Sequence, residues 1–462
     1  MILFGKDRTN TTICALASAE GAAGISVIRI SGSDCLSIVR KSARFLPENL
    51  ASHTIYFGTF IDPSSDELVD EVLISFFANK KSYTGEETIE ISCHGSPIIV
   101  DKILEILCRA GCKVALNGEF TYRAFLNGKI DLVKAESILG LIHSSTEASA
   151  KANLNLLKGS LSNRIKHLEN SVLEVLAHIE ADIDFSTENL NTFEPQQIVE
   201  RLQNIIDEIT KICFSFEQGK VVTKGISVAI CGKPNVGKSS LFNCLLDEDR
   251  ALVSEFAGTT RDSIDSSIII NGIQVRLIDT AGVRDTDDFV ESMGIEKTKE
   301  VAAKADYIFY VVSPELESFE ADVKYLEGYS DKKIVLILNK ADLMDSAGDF
   351  AKNVLKQQFR NDVLIASSKN RDVFSVIEFL KNELGQETVQ KDVVITNHRQ
   401  FESLDSALRA VAKATENLKD GYGAEVASLD LKDAYLHLQN VVGSSYDDQV
   451  IDKIFKEFCL GK

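Results

Sequence analysis

A glycine-rich stretch at residues 232–239, Gly-Lys-Pro-Asn-Val-Gly-Lys-Ser, constrains the fold of this chain more than any other feature. Two glycines five residues apart, followed by lysine and serine, form the pattern of a phosphate-binding loop. The apolar run 226–230 before it predicts a buried strand, and the run 240–246 after it predicts the start of a helix. This strand–loop–helix context is the one that the motif requires, so we predict a nucleotide-binding domain.

Each part of the loop has a chemical role in that prediction. Backbone N–H groups surround the β-phosphate at the positive end of the helix. The Lys238 ammonium contacts the β- and γ-phosphates, and the Ser239 hydroxyl ligates Mg²⁺. The candidate nucleotide-binding residues of the loop are Asn235, Val236, Gly237, Lys238, Ser239 and Ser240. The loop alone leaves open the alternative of a glycine-rich turn with an incidental Lys-Ser pair.

Composition narrows the class of protein. A chain of 462 residues has room for about two to four domains. The net charge of −19 argues against bulk attraction to nucleic acid or an anionic membrane, although a local basic patch is compatible with it. No run reaches the roughly 18 apolar residues of a membrane span, and the first residues lack the apolar core of a signal peptide. With nine scattered cysteines, we expect a cytoplasmic protein with free thiols and no membrane partner.

Apolar periodicity divides the chain into four segments. Residues 1–118 alternate short strands with one clear helix and predict a small α+β domain. Residues 119–222 and 386–462 carry long amphipathic helical patterns, and residues 223–385 alternate strand and helix as a doubly wound sheet requires. The two helical blocks predict one helical domain with the nucleotide domain inserted in it. The predicted fold class is therefore multidomain, with an α+β domain, an all-α domain and an inserted α/β P-loop domain whose sheet is mostly parallel.

Local signals place elements within these segments. Ser96 and Pro97 are typical of a helix start, and Gly111 of its end. The predicted strands of the first segment are 12–17, 25–30, 72–77 and 88–92. The predicted helices of the two helical blocks are 131–145, 154–183, 195–216, 398–418, 429–442 and 449–458.

Two motifs in the nucleotide domain predict which base is bound. Strand 334–338 ends in Asn339-Lys340-Ala341-Asp342, and the loop Ser367-Ser368-Lys369 follows strand 363–365. The Asp342 carboxylate can accept from both N–H groups on the Watson–Crick edge of guanine. Adenine lacks that pair of donors and would leave the acid unpaired. The motifs therefore predict a site for GTP, with Asn339, Lys340, Asp342, Ser367, Ser368 and Lys369 as candidate contacts.

A third motif lies on the phosphate side. Asn271-Gly272 predicts a two-residue hairpin whose second strand runs into Asp279-Thr280-Ala281-Gly282. The acid of that motif reaches Mg²⁺ through water, and the glycine N–H reaches the γ-phosphate. Residues 257–262 lie where a mobile switch is expected, and Thr260 is the second candidate hydroxyl for Mg²⁺. The further candidate nucleotide contacts are Ser254, Thr259, Thr260, Asp279, Thr280, Ala281 and Gly282.

The position after this motif is unusual. Val283 stands where Ras-like enzymes keep the glutamine that orients the attacking water, and an apolar side chain cannot do that. Another group must orient the water, or hydrolysis is slow. The acidic segment 285–291 offers carboxylates, although from the sequence alone a solvated charged loop is the favoured interpretation.

Motifs other than those that many GTPases share make the chain resemble the bacterial tRNA-modifying GTPase family called TrmE or MnmE, over essentially its whole length. They are Gly-Thr-Thr-Arg-Asp at 258–262, Ser-Tyr-Thr-Gly-Glu-Glu at 82–87 with Cys-His-Gly at 93–95, Gly-Glu-Phe at 118–120 with Arg-Ala-Phe-Leu-Asn-Gly-Lys at 123–129, and Phe-Cys-Leu-Gly-Lys at 458–462. Two positions depart from the family pattern. Leu460 replaces the usual isoleucine, and Ser368 replaces the usual alanine in a loop that contacts the base through backbone N–H groups.

The resemblance implies a potassium-activated GTPase whose nucleotide domains pair across a homodimer. The implied K⁺ ligands are Asn235, Ser254, Phe256 and Thr259, of which Ser254 and Phe256 act through their backbone. The ion would supply the positive charge that an arginine finger supplies elsewhere. Glu291 matches the family's catalytic glutamate, which orients the attacking water and accounts for Val283. Lys238 and Gly258 complete the expected catalytic set.

The resemblance also implies a folate site in residues 1–118, a segment that would dimerise as well. The implied contacts to 5-formyl- or 5,10-methylene-tetrahydrofolate are Arg29, Glu90, Lys129 and Lys462. The family acts with a flavin-dependent partner, MnmG (GidA), in a heterotetramer. Together they add an aminomethyl or carboxymethylaminomethyl group to carbon 5 of the wobble uridine, position 34, of certain tRNAs.

Some alternatives stay open at this stage. Cys459 and His94 match family positions, but a structural role is at least as well supported for each. The competing function is a GTP-dependent switch in RNA or ribosome assembly that does no chemistry on a base, which the GTP motifs fit equally well. A purely structural scaffold is a third alternative. The folate motifs and the C-terminal tail favour the modification enzyme.

Overall fold

The structure is a computed structural model that describes residues 10–184, 195–248, 265–279, 302–315, 326, 328–329, 332–344, 363–385, 395–420, 424–445 and 448–462. The chain forms two compact units. The first unit comprises Met1–Leu139, Leu156–Cys213 and His398–Lys462, and the second comprises Gly140–Asn155 and Phe214–Asn397. No helix among the described residues is long and apolar enough to cross a membrane.

The described residues contain two six-stranded sheets. Their strands are β1 Ile13–Leu16, β2 Ala23–Ser31, β3 Thr54–Asp62, β4 Glu67–Phe77, β5 Thr88–Gly95, β6 Lys113–Val114, β7 Ile226–Cys231, β8 Asp265–Ile270, β9 Ile273–Asp279, β10 Tyr307–Val312, β11 Lys333–Leu338 and β12 Val363–Ile365. The α-helices among the described residues are α1 Cys35–Arg40, α2 Pro97–Ala110, α3 Glu119–Leu126, α4 Leu132–Ile142, α5 Glu147–Leu157, α6 Ser160–Asp184, α7 Pro195–Lys224, α8 Lys238–Glu248, α9 Phe374–Glu383, α10 His398–Lys419, α11 Ala424–Val442 and α12 Asp448–Lys456.

The first sheet has the strand order β3-β4-β5-β2-β1-β6 and is antiparallel except for the β1–β6 pair. One of its faces is apolar because alternate residues of each strand point to the same side. The core residues that β2, β4 and β5 place on that side with α2 include Ile28, Ile30, Val72, Ile74, Ile89, Ile91, Ile103 and Ile106. Burying these side chains on one face stabilises the sheet and leaves the opposite face for other contacts.

The opposite face carries a row of residues paired across four strands. Ile55 on β3 lies opposite Ser75, Ser75 lies opposite Glu90, and Glu90 lies opposite Arg29. Strand β3 and helix α1 are not among the elements predicted from the sequence. Strand β3 exposes Ile55 and Phe57 while burying Phe60, so apolar residues occupy both of its faces and obscure the alternation that identifies a half-buried strand.

The helices of the first unit pack by their apolar faces. Helix α11 packs against both α10 and α6, although the nucleotide-binding segment separates α6 from the other two in sequence. The prediction of one continuous helix over 154–183 is wrong. Gly159 adopts φ 92°, which ends α5 and starts α6 close behind it. A glycine inside an amphipathic pattern does not by itself show that the helix stops there.

The second sheet has the order β12-β11-β10-β7-β9-β8, and all its strands except β8 run parallel. The chain leaves β7 and returns to pair on both of its sides, with β9 and with β10, so β7 marks a switch point where ligands bind in such sheets. The predicted hairpin is confirmed, because Asn271 and Gly272 have φ 53° and 78° between β8 and β9. Strand β10 is fully buried and is absent from the sequence predictions.

Candidate functional site

The phosphate loop connects β7 to α8. Gly232 adopts φ 143°, and a Cβ there would lie 2.3 Å from the Val311 carbonyl oxygen, so only glycine fits. Asn235 adopts the left-handed φ of 65°, which asparagine tolerates better than most residues. The Lys238 Nζ lies 2.8 Å from the Lys233 carbonyl oxygen across the loop. The loop is therefore folded back on itself, with the candidate lysine at its rim and Ser239 and Ser240 in the first turn of α8.

Gly237 packs closely against Asn339, which follows β11. Its φ is 92°, and a Cβ there would lie 2.3 Å from the Nδ2 of Asn339. The Asn339 amide nitrogen donates to the Val236 carbonyl oxygen at 3.0 Å, and the side chain is only 1% exposed. The structure therefore places Asn339 between the phosphate loop and the base-binding motifs, a bridging position that the sequence analysis does not predict.

Replacing Gly237 by alanine is expected to lower GDP affinity by at least about tenfold, because the methyl group displaces the Asn339 amide from the loop. Titration with a fluorescent GDP analogue measures this loss. Gly272→Ala is the matched control, since Gly272 has φ 78° but its nearest neighbour is the Ala148 Cβ at 3.9 Å. It introduces the same kind of backbone strain without the clash. Equal losses in both variants would show that strain alone is responsible.

The base-binding motifs meet at the carboxyl ends of β11 and β12. The Ser367 hydroxyl donates to Asp342 Oδ1 at 2.7 Å, and the Lys369 ammonium lies 3.5 Å from Oδ2. The hydrogen bond from Ser367 and the positive charge of Lys369 hold the pKa of Asp342 below its usual range. The side chain is therefore an ionised acceptor over the physiological pH range, as recognition of guanine requires.

The loop after β12 is also tied to Asn339. The Asn339 Oδ1 accepts from the Ser368 backbone N–H at 3.1 Å and from the Ser368 hydroxyl at 2.9 Å. On the other side of this motif, Lys340 adopts φ 59° and its ammonium lies 2.8 Å from a carboxylate oxygen of Glu315. No sequence motif marks Glu315, although the apolar run that forms β10 is a signal for the loop that follows it and carries Glu315.

Asp279 is the last residue of β9 and lies next to Ile230 in the register of β7. It therefore lies near the level at which the phosphate loop begins. Within the part of the chain that the structure describes, no group of three or more His, Cys, Asp or Glu side chains is placed to hold a metal ion. A magnesium site with one serine hydroxyl and phosphate oxygens needs no such group, and Ser239 fits it. The candidates that lie outside the described residues are Ser254, Phe256, Gly258, Thr259, Thr260, Thr280, Ala281, Gly282, Val283 and Glu291.

A second candidate site lies in the first unit around Arg29. Its guanidinium contacts Glu90 on the neighbouring strand, with two N–O distances of 2.8 and 2.9 Å. It lies over the Tyr83 and Phe120 rings, 5.3 and 5.7 Å from their centroids. Another guanidinium nitrogen is 3.4 Å from the Gly461 carbonyl oxygen, so the C-terminal tail reaches the same place.

The tail is held by backbone contacts. The Phe120 N–H donates to the Lys462 carbonyl oxygen at 3.2 Å, and a Cβ on Gly461, which has φ 90°, would lie 2.0 Å from the Leu16 carbonyl oxygen. Burial lowers the pKa of the Lys462 ammonium, and the charge of Arg29 lowers it further. Three of the four predicted folate residues, Arg29, Glu90 and Lys462, therefore converge.

The other residues singled out around this site have different surroundings. The Lys129 ammonium donates to the Lys80 carbonyl oxygen at 3.0 Å, in the loop that begins the Ser-Tyr-Thr-Gly-Glu-Glu motif. His94 Nδ1 is 2.7 Å from Asp70 Oδ1, and its side chain is largely exposed. Cys459 is an exposed free thiol. Of these three residues, Cys459 is connected to the site, because its carbonyl oxygen accepts from the Lys462 N–H at 3.4 Å.

The Ser-Tyr-Thr-Gly-Glu-Glu motif forms a buried polar network beneath the Arg29 site. Glu86 accepts from the Ser31 hydroxyl at 2.9 Å and from the Arg123 guanidinium at 3.0 Å. Arg123 also contacts Glu119 at 3.1 Å, and both side chains are almost fully buried. Buried charges in this arrangement are tolerated because they are paired and hydrogen-bonded. The motif and the 118–129 signature thus hold each other in place.

A parallel sheet with a phosphate loop after its central strand and an Asn-Lys-Ala-Asp motif two strands away defines a P-loop GTP-binding domain. The chain is thus a protein of the P-loop GTPase class. Comparisons with known proteins agree with this class. Residues 12–129 match the family model for the GTP-binding protein TrmE N-terminus, and residues 132–459 match that for the MnmE helical domain.

Curated relatives match along nearly the whole chain. A tRNA modification GTPase MnmE from Bdellovibrio bacteriovorus is 39% identical over 472 residues, which cover 99% of this chain and 98% of the relative. One from Carboxydothermus hydrogenoformans is 36% identical over 463 residues, covering 98% and 99%. The chain belongs to the MnmE family of tRNA modification GTPases.

Solved structures match only part of the chain. The G domain of the T. maritima FeoB iron transporter aligns with 34% of this chain and 96% of its own, at 23% identity and a TM-score of 0.25. Era in complex with MgGDPNP and part of 16S ribosomal RNA aligns with 40% and 66%, at 21% identity and a TM-score of 0.27. Alignments with TM-scores this low add nothing to the argument on fold.

Proposed function

We propose that this chain hydrolyses GTP and that hydrolysis serves the modification of the wobble uridine, position 34, of certain tRNAs. The observation that carries the proposal is the Ser367–Asp342 hydrogen bond of 2.7 Å, which favours an ionised carboxylate opposite the two donors of guanine. Membership of the MnmE family supports tRNA as the partner whose base is modified.

Each candidate residue has its own role in the proposed hydrolysis of GTP. Lys238 and the loop N–H groups bind the β- and γ-phosphates, while Ser239 and Thr260 ligate Mg²⁺. Gly258 belongs to the switch segment, and Glu291 orients the attacking water, a task that Val283 cannot perform. The Lys238 ammonium lies 2.8 Å from the Lys233 carbonyl oxygen within the phosphate loop, and this place in the loop supports its share of the assignment.

Potassium is the proposed activator. Asn235, Thr259 and the backbone of Ser254 and Phe256 would bind K⁺, whose charge stabilises the transition state when two nucleotide domains pair. The left-handed conformation of Asn235, at φ 65° in the phosphate loop, supports a side chain held at the rim of the phosphate site. The resemblance to the family supports the remaining ligands.

Folate is the proposed source of the one-carbon unit, as 5-formyl- or 5,10-methylene-tetrahydrofolate. The convergence of Arg29, Glu90 and Lys462 beside the Tyr83 and Phe120 rings supports a site for a flat heterocycle with hydrogen-bonding edges. Glu90 can accept from the amino groups of a pterin, and Arg29 and the rings can lie against its face. Lys129 would contact the ligand from the loop at residue 80.

The family resemblance supplies the assembly. We propose a homodimer formed by residues 1–118, and a heterotetramer with the flavoprotein MnmG (GidA), with the domain boundaries given by the sequence analysis. On the outer face of the first sheet, Phe57 lies directly opposite Leu73, and they are 67% and 42% exposed. This apolar pair occupies the same face as Arg29 and Glu90, which supports a dimer contact beside the folate site.

Arg29→Ala is expected to weaken binding of 5-formyl-tetrahydrofolate about 10- to 100-fold, because it removes a charged hydrogen-bonding group and leaves Glu90 without its partner. Isothermal titration calorimetry on the full chain measures the change. Arg44→Ala is the matched control, since Arg44 pairs with Asp66 and both side chains are more than half exposed.

Two outcomes separate the competing functions. The modification enzyme is supported if the unmodified chain binds folate saturably, if Arg29→Ala weakens this binding, and if Arg44→Ala leaves it unchanged. Absence of saturable binding to the unmodified chain favours the assembly switch, which has no use for a folate site.

A further inference from the structure

Ser368 is held through its N–H, its hydroxyl and its carbonyl oxygen. Its N–H and its hydroxyl both donate to Asn339 Oδ1, at 3.1 and 2.9 Å, and its carbonyl oxygen accepts from the Cys244 thiol on α8 at 3.2 Å. Asn339 in turn donates to the phosphate loop through Val236. One residue of the base-binding loop is thus connected to α8 directly through Cys244, and to the phosphate loop indirectly through Asn339.

Two of these bonds reach the same acceptor. The Asn339 side chain is 1% exposed, so its amide oxygen cannot turn to water if a donor leaves. A buried acceptor without a donor costs about 1–3 kcal/mol. The Ser368 N–H has a second candidate acceptor under the proposed function, because guanine presents O6 beside the N1–H that Asp342 recognises. The same N–H cannot make a strong bond to both acceptors.

We propose that the Ser368 hydroxyl is a positioning group for guanine recognition, which keeps the Asn339 amide oxygen bonded while the Ser368 N–H turns to O6 of the base. The proposal rests on GTP binding by this chain. It assigns a role to a position where the family usually carries alanine, which has no hydroxyl to offer. Specificity for the 6-oxo group of guanine then depends on a side chain that does not itself contact the base.

The Cys244 thiol completes the arrangement from the other side. A thiol is a weak donor, so its bond to the Ser368 carbonyl oxygen orients the peptide unit between residues 368 and 369 without fixing it strongly. The Ser368 N–H lies in the preceding peptide unit, whose Ser367 carbonyl oxygen accepts from the Asp372 N–H at 3.0 Å. This unit therefore turns the N–H towards the base by only a small amount while the hydroxyl retains Asn339. Asn339 keeps its contact with the phosphate loop, so the two halves of the nucleotide site stay in register.

The test compares the full chain with Ser368→Ala, Ser368→Thr and Ser375→Ala. The threonine variant retains the hydroxyl. Ser375 is the matched control, because its hydroxyl donates to the Ile365 carbonyl oxygen in the same part of the domain and does not touch Asn339. Affinities are measured for GDP and for 6-thioguanosine diphosphate, whose sulfur is a weak acceptor but whose N1–H and 2-amino group are intact.

Ser368→Ala is expected to weaken GDP binding about five- to tenfold, with a loss of only about twofold for the thio analogue, because one donor must then serve two acceptors. Ser368→Thr should restore GDP affinity, and Ser375→Ala should change neither. Equal losses for both nucleotides, or no loss for GDP, would overturn the proposal. Failure of the unmodified chain to bind GDP would instead contradict the proposed function.

Discussion

Replacing Asp342 by asparagine is expected to change the preferred nucleotide from GTP to xanthosine triphosphate. The carboxylate offers two acceptors, which match N1–H and the 2-amino group of guanine. The asparagine amide offers one acceptor and a donor, which match N1–H and the 2-oxo group of xanthine. Sites that hydrogen-bond a ligand reject the analogue with the wrong group by about 10⁴-fold, and we expect a change in preference of that order.

The surroundings of Asp342 make this effect large. The Ser367 hydroxyl at 2.7 Å already uses one lone pair of Oδ1 and orients the carboxylate. This bond lowers the pKa of Asp342. The part of the GTP affinity that depends on the negative charge of Asp342 is therefore constant at pH values above the usual pKa range of aspartate. It is lost only as the pH falls through the lowered value.

Competition between the two triphosphates for a fluorescent GDP analogue measures the change. Asp372→Asn is the matched control, because it makes the same chemical change in the loop after β12 on an exposed residue whose carboxylate lies 3.4 Å from the Phe374 nitrogen. If Asp342→Asn lost affinity for both nucleotides alike, the residue would be structural and the assignment of guanine would fail.

If K⁺ is the activator as proposed, hydrolysis of GTP is expected to be about 10³-fold faster in K⁺ than in Na⁺ at equal ionic strength, because the ion would take the role of an arginine finger. Na⁺ is smaller and would not contact the Asn235 side chain and the switch backbone together. Removing the Asn235 side chain should abolish most of the stimulation while leaving the slow rate in Na⁺ unchanged.

The choice of substitution matters at this position. Asn235 adopts φ 65°, where alanine costs about 1–2 kcal/mol of backbone strain. Asn235→Gly removes the side chain without that strain, so agreement between Asn235→Ala and Asn235→Gly attributes the loss to the side chain. Asn243→Ala, at an exposed position in α8, is the matched control. Equal rates in the two salts for the unmodified chain would exclude the potassium mechanism and leave a slow switch that needs a partner.

The nucleotide domain shows why some parts of a fold can be predicted from sequence. The phosphate loop, the Asn271-Gly272 hairpin and the Asn339–Asp342 motif are local, because each depends on residues adjacent in the chain and on backbone conformations that few residues adopt. The fold class that they predict is confirmed. Strand β10 was missed because its apolar run has no periodicity and, unlike the runs of β7 and β11, is followed by no nucleotide-binding motif.

The contacts that connect the phosphate loop with the base-binding motifs could not be predicted from the sequence. Asn339 bonds to Val236 and to Ser368, and Cys244 bonds to Ser368, across separations of 103, 29 and 124 residues. Sequence motifs name such residues but do not show which atoms meet. The same holds for Gly237, whose need for glycine arises from an asparagine on another strand.

The first unit depends still more on tertiary structure. Arg29 and Glu90 become partners through the register of β2 and β5, and Gly461 and Lys462 join them because the tail returns to the carboxyl end of β1, at Leu16. By itself, the sequence determined the P-loop class, the base that the motifs recognise and the family. Only the tertiary structure decided which charged groups share a site, since register and chain return bring together residues that no local pattern connects.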